Sequence, residues 1–288
     1  MEKSMIIDVH THIFPKKMCH DRAGFFEKED AFRLLYESPK SRMVDAESLI
    51  AAMDEAGVDM AVTFGFPWRQ PGLWRMHNDY IMDAATRYPK RLIPLCCVDM
   101  AAEGAAEEIT RCLAAGCAGA GELAFYASGL GREAIALLEP VMASCRAANA
   151  PIMIHTNEPV GHFYPGKTPV TPGEIYGLAS AFPENKLILA HWGGGLFFYH
   201  LLKKEAADVL KNVYYDTAAS PFLYDPKIYR IAIDIMGPDK ILMGTDYPLI
   251  KPERYFTEMD RAGLSADEKA RILGINAAEL FSLSPVAA

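Results

Sequence analysis

The 288-residue sequence contains no apolar run long enough to cross a bilayer. It also lacks the basic segment followed by an apolar stretch that marks a secretory signal. These absences lead to the expectation of a cytoplasmic protein with no membrane partner. There is no block of like charge. The net charge of −8 is dispersed, so nucleic acid is not an expected partner. Cysteine is sparse: Cys19, Cys96, Cys97, Cys112, Cys117 and Cys145 form no Cys-x-x-Cys pair, and reduced thiols are expected. A glycine-rich phosphate turn is missing too. The first apolar run ends in His12-Ile13-Phe14-Pro15-Lys16-Lys17, and Gly193-Gly194-Gly195 lacks the rest of a G-x-G-x-x-G pattern. That argues against an open doubly wound nucleotide-binding sheet. The triple glycine is read instead as a sharp exit from a strand.

What the chain does contain is alternation. Eight short apolar runs are expected as strands: 5–14, 59–67, 92–99, 118–126, 151–157, 186–192, 213–218 and 241–247. Segments of helical periodicity separate them, at 46–56, 77–88, 105–115, 133–149, 172–182, 196–210 and 227–236. Thr171 stands as a candidate cap before Pro172. Strand alternating with helix predicts parallel strands joined by crossovers, and eight units predict a closed (β/α)8 TIM barrel in a single domain spanning 1–288. About thirty residues, 15–44, intervene between the first strand and its helix, and are expected to form an extended loop or small helical insertion.

In such a barrel the C-terminal strand ends share one mouth, where chemistry sits. His10 and His12 end the first run and, two residues apart, share a face. Two imidazoles so placed could hold a metal or be accidental. Glu122 lies on the fourth run, His155 and His191 end the fifth and sixth, and Asp246 ends the eighth. A lone histidine at a strand end is more often a hydrogen-bonded core residue than a ligand. Four of the eight histidines at predicted strand ends shift that balance toward a metal. Arg69 and Trp68 follow the second strand, and Tyr126, Asn157 and Tyr247 sit near other strand ends, as candidate substrate contacts. Lys251 and Arg254 are further candidate cations for a substrate carboxylate, although a solvated surface role suits each equally.

The set His10-x-His12, His155, His191 and Asp246 resembles the amidohydrolase superfamily. So do Met53-Asp54-Glu55-Ala56-Gly57-Val58-Asp59, Gly244-Thr245-Asp246-Tyr247-Pro248 and Asn276-Ala277-Ala278-Glu279-Leu280-Phe281. The closer match is the branch that includes aminocarboxymuconate-semialdehyde decarboxylase, and it extends from Ile6 to Phe281. The resemblance implies one divalent metal ion held by His10, His12, His155 and Asp246. Zinc is the usual ion, with manganese, iron and nickel as alternatives and a second ion open. It implies that His191 touches bound water or substrate. Many relatives place a carboxylated lysine on strand four. This chain has no lysine there and offers Glu122 as a ligand instead. The expected activity is hydrolysis of a small carboxylate-bearing amide, lactone or ester, with Asp246 and His191 moving the proton. The alternative is nonoxidative decarboxylation of a small unsaturated or aromatic acid, and a third reading is a non-catalytic binding protein. The branch also implies a homodimer.

Overall fold

The computed structural model describes residues 5–283. Eight strands run parallel in sequence order: β1 (Ile7–His12), β2 (Met60–Phe64), β3 (Leu92–Cys96), β4 (Gly119–Leu123), β5 (Ile152–Ile154), β6 (Leu187–Leu189), β7 (Val213–Asp216) and β8 (Ile241–Leu242). The last strand returns to the first. Val9 donates its N–H to Met243 O at 2.8 Å, Asp246 to His10 O at 2.9 Å, and His12 to Tyr247 O at 2.8 Å. The ring is therefore closed, as the alternation predicts. Every expected run contains its strand. The runs overshoot at their ends because apolar character continues into loops where backbone pairing has stopped.

Ile7, Val9, Met60, Val62, Ile93, Leu95, Met153, Ile188 and Leu242 fill the barrel interior. The opposite face of the strands packs against the helices, which lay one apolar stripe on the sheet. Helix Ala46–Ala56 is capped by Asp45, whose carboxylate accepts from Ser48 N at 2.8 Å, and it stops at Gly57 with φ of 71°. Thr171 and Glu174 close a reciprocal capping box on helix Pro172–Ala181.

The expected helix at 196–210 is not continuous. A 3-10 run covers His191–Leu201, and a separate short helix covers Ala206–Val209. The five residues His191 to Gly195 all have φ between 55° and 91°, which an α-helix cannot accommodate. Gly194 shows why glycine is needed there: a Cβ would stand 2.3 Å from Asn157 O. The helix Pro252–Arg261 after β8 was not among the expected elements. The segment after β1 folds into the short helices Lys16–His20 and Asp30–Tyr36, with a 3-10 turn Arg22–Phe25 between them. No helix among the described residues is long and apolar enough to cross a membrane.

Two strands carry an irregularity that matters for the mouth. Along β1, Asp8 pairs with Ala61 but Thr11 pairs with Thr63, so Val9 and His10 together face Val62. Along β4, Ala120 pairs with Ile152 but Leu123 pairs with Ile154, so Gly121 and Glu122 together face Met153. Each is a one-residue bulge, and a bulge reverses the side-chain alternation beyond it. Val9 packs in the interior, yet His10 and His12 also point inward, against the Phe64 ring at 5.1 and 4.7 Å.

Candidate metal centre and active-site cavity

Six polar side chains meet where the strands end. β1 supplies His10 and His12, β4 supplies Glu122, and the segments leaving β5, β6 and β8 supply His155, His191 and Asp246. His10 Nε2 lies 3.7 Å from Glu122 Oε2 and 3.8 Å from Asp246 Oδ1. His12 Nε2 lies 3.8 Å and 3.3 Å from the same two oxygens. His155 Nδ1 is 2.8 Å from Glu122 Oε1, and His191 Nε2 is 3.5 Å from it. All six residues predicted for the metal and its proton chemistry are thus brought together.

The orientation of the rings tests whether this set suits a cation. His10 Nδ1 is 2.8 Å from Asp216 Oδ2. A carboxylate only accepts, so Nδ1 carries the hydrogen, and once a cation replaces the ring's second proton Nε2 offers its lone pair. That Nε2 is buried and has no hydrogen-bond partner. His12 Nδ1 faces the Gly65 carbonyl at 3.3 Å and His191 Nδ1 faces the Ala218 carbonyl at 2.9 Å, so both rings likewise turn Nε2 to the cluster. His155 has an acceptor at each nitrogen, Glu122 on one side and the Gly166 carbonyl at 2.9 Å on the other. A neutral imidazole has one N–H for these two acceptors. With its N–H at Nε2 given to Gly166, the ring turns its Nδ1 lone pair toward the cluster, as the other three turn Nε2. Backs tied to acceptors and lone pairs facing inward are what a metal-binding histidine set needs.

The electrostatics agree. Burial works against a charged His10, but the carboxylates of Glu122 and Asp216 outweigh it and push its pKa up to about 10. Burial likewise opposes charge on His191, and the hydrogen bond to Glu122 overcomes it, raising the pKa to about 9. Glu122 is held well below the usual carboxylate range, against its burial, by His155 and His10. The cluster is a buried negative centre that calls for positive charge.

Behind the cluster, two acids hold it in place. Asp216, at the end of β7, orients His10 and also accepts from the backbone N–H of His191 at 2.9 Å and of Ala218 at 3.0 Å. Asp8 accepts from Thr245 Oγ1 at 2.5 Å and Thr245 N at 3.0 Å, which fixes the turn carrying Asp246. Neither acid was among the expected site residues. Asp216 ends a strand in an acid, as Asp246 does, so the same signal was available. Asp8 sits mid-strand and gave no such signal.

A cavity of about 540 Å³ opens above the cluster. His12, Glu122, His155, His191 and Asp246 border it. Its walls include Phe66 and Tyr126, whose rings stack at 6.2 Å and 14°. The segment after β1 contributes Tyr36, Lys40 and Arg42, and the loop after β5 contributes His162 and Tyr164. Of the five expected substrate contacts, Tyr126 alone is in this lining. Trp68 is fully buried, packs on Phe32 and Phe66, and donates Nε1–H to His77 Nδ1 at 2.9 Å. Arg69 turns to solvent beside Asp99, at 3.7 Å. Asn157 is buried, and its carbonyl oxygen accepts from Thr168 N and Oγ1. Tyr247 packs under the rim with Ile13 and Leu49. Lys251 pairs with Glu55 at 3.2 Å, and Arg254 lies over Phe222 and donates to Pro221 O. The cations that do face the cavity, Lys40 and Arg42, come from the insertion.

A family model described as amidohydrolase matches residues 7–283. The chain belongs to the amidohydrolase family. It is 24% identical to the 2-amino-3-carboxymuconate-6-semialdehyde decarboxylase of Dictyostelium discoideum, over 98% of this chain and 93% of that protein. It is also 24% identical to the gamma-resorcylate decarboxylase of Polaromonas sp. JS666, over 96% of this chain and 98% of that one. Among solved structures, the 5-carboxyvanillate decarboxylase of Novosphingobium aromaticivorans, complexed with manganese and 4-hydroxy-3-methoxy-5-nitrobenzoic acid, superposes with a TM-score of 0.74 at 19% identity. That match covers 97% of this chain and 96% of the other. All three are named as decarboxylases. Their names back the decarboxylative alternative better than the hydrolytic expectation, and the expectation of zinc gains no support from a relative that holds manganese.

Proposed function

We propose that this amidohydrolase is a metal-dependent nonoxidative decarboxylase of a small aromatic or unsaturated carboxylic acid. The observation that carries the reading is the placement of a cation-seeking cluster on the floor of a cavity walled by stacked aromatic rings. The names of the relatives support it. His10, His12, Glu122, His155 and Asp246 hold one divalent ion, with manganese the first ion to test. When bound, such an ion neutralises the two acids and polarises an oxygen of the substrate.

The chain's own residues do the rest. Phe66 and Tyr126 flank a flat substrate, and the space of about 540 Å³ suits a single substituted ring. Lys40 and Arg42 attract an acid to the mouth, and His191 hydrogen-bonds its carboxylate. Asp246 borders the cavity and remains partly accessible, whereas Glu122 is clamped between imidazoles. Asp246, whose carboxyl His12 and His10 hold below the usual carboxylate range against its burial, is therefore the group that takes up a proton from solvent at the mouth and passes it to the ring carbon bearing the carboxylate. The carbon–carboxylate bond then breaks, its electron pair restores the ring, and carbon dioxide leaves.

The test is a panel of hydroxybenzoic acids and unsaturated dicarboxylic acids against a panel of lactones and amides, assayed with the manganese-loaded protein. Carbon dioxide release from an acid, without hydrolysis, is expected. Hydrolysis without carbon dioxide release would overturn the proposal.

A further inference from the structure

Outside the cavity, three thiols meet. Cys96, Cys112 and Cys117 have sulfur atoms within 4.8 Å of one another. Cys96 and Cys112 are fully buried and Cys117 is 7% exposed. The backbone sets this meeting. Cys96 is the last residue of β3, and Cys112 lies in the last turn of the helix Ala105–Ala114. The chain then reverses through Gly116, at φ of 103°, so that Cys117 N donates to Cys112 O at 3.0 Å. Three elements thus deliver one sulfur each to a common point.

Three atoms spaced by no more than 4.8 Å lie within about 2.8 Å of a shared centre, and a metal–thiolate bond is about 2.3 Å. Closing onto an ion needs each sulfur to move about half an ångström. Charge selects the ion. Three thiolates around a divalent cation leave one negative charge; the Arg111 guanidinium, which also pairs with Asp79 and Glu108, lies 3.6 Å from Cys112 Sγ, and Glu108 Oε1 lies 3.4 Å from the same sulfur. A monovalent ion would leave two. Arg111 is itself held by Glu108, and both line a surface crevice of about 440 Å³ that includes Trp74 and Glu107.

We propose that Cys96, Cys112 and Cys117 form a second cation site, taking a thiophilic divalent ion of the zinc and cadmium class on three sulfurs. Binding exchanges the three thiol protons for the ion and releases them to solvent. The ion pins β3, the helix end and the entry to β4 to one another. The role is structural and separate from the cluster at the barrel mouth.

The test uses the reduced, full-length protein with its mouth cluster filled with manganese, titrated with cadmium. The readout is thiolate-to-cadmium charge-transfer absorption, which imidazole and carboxylate ligands do not produce. The band is expected to saturate at one cadmium per chain. It should vanish in Cys112→Ala and in Cys117→Ala, and persist in Cys145→Ala, whose buried thiol lies on the helix Arg132–Ala147. Alkylation of the wild-type protein in mild urea gives a second readout that needs no variant. Cadmium should shield Cys96, Cys112 and Cys117 while leaving Cys145 to react. No band in folded wild-type protein, a band that survives both cluster variants, or equal labelling of all buried cysteines would overturn the proposal.

Discussion

Replacing Asp216 with Asn tests the metal centre without touching a ligand. Asp216 receives His10 Nδ1–H on Oδ2 at 2.8 Å, and two backbone N–H groups on Oδ1 at 2.9 and 3.0 Å. Asparagine has the same shape. Its oxygen can still serve the two backbone groups, but its NH2 then faces His10 Nδ1. The imidazole must accept there, and its hydrogen moves to Nε2, pointing into the cluster. Loss of such an anchor lowers metal affinity about 10–100-fold, or about 1.4–2.7 kcal/mol. The assay is manganese affinity by chelator competition on stripped protein, with the melting temperature of the metal-free form as a control. D216N should bind weakly and melt as the parent does. Asp216→Ala should differ, because it strands two buried N–H groups at about 1–3 kcal/mol each and destabilises the fold as well. Parental manganese affinity in D216N would refute the argument that a fixed tautomer prepares the site.

Other outcomes follow from the same geometry. Asp246→Asn should leave the melting temperature near that of the parent while removing most carbon dioxide release, and undiminished turnover would discard its proton-carrying role. Gly194→Ala should destabilise by at least about 2 kcal/mol in urea unfolding, since the new Cβ meets Asn157 O at 2.3 Å and φ is 58°. His77 is buried, and burial depresses its pKa to about 4 from an ordinary 6.5. A folded-state histidine pKa below the unfolded one means the unfolded chain binds more protons, so stability falls as the pH drops from about 6.5 to about 4. The loss totals about 3 kcal/mol below both values. The difference in urea midpoint between the parent and His77→Gln should carry this fall, because Asp8, whose pKa burial pushes up to about 7, acts in the opposite direction over the same range in both proteins. Equal slopes in both proteins would show that other groups carry it.

Much of this arrangement was legible in the sequence because strand ends in a closed barrel share a rim. His10, His12, His155, His191 and Asp246 each finish an apolar run, and that pattern needs no knowledge of neighbours. Glu122 lies inside its run rather than at its end, and its place in the ligand set came from the family resemblance. The substrate contacts were not, because a loop residue's distance from a strand end says nothing of its direction. Trp68 and Tyr247 turn into packing, whereas Tyr36, Lys40 and Arg42 reach the cavity from a segment whose path depends on how its short helices fold back. The helix expected at 196–210 failed because apolar spacing does not encode a run of left-handed backbone.

The extra residues in β1 and β4 give each strand two phases. Below the bulge, alternate positions belong to the oily floor. Above it, the count restarts in favour of His10, His12 and Glu122. Stability and chemistry can therefore vary independently along a single strand. It also follows that chain length, rather than residue type, guards this site. Deleting Thr11 would leave every donor in the sequence and turn His10 and His12 to opposite faces of the strand, a lesion no survey of substitutions would find.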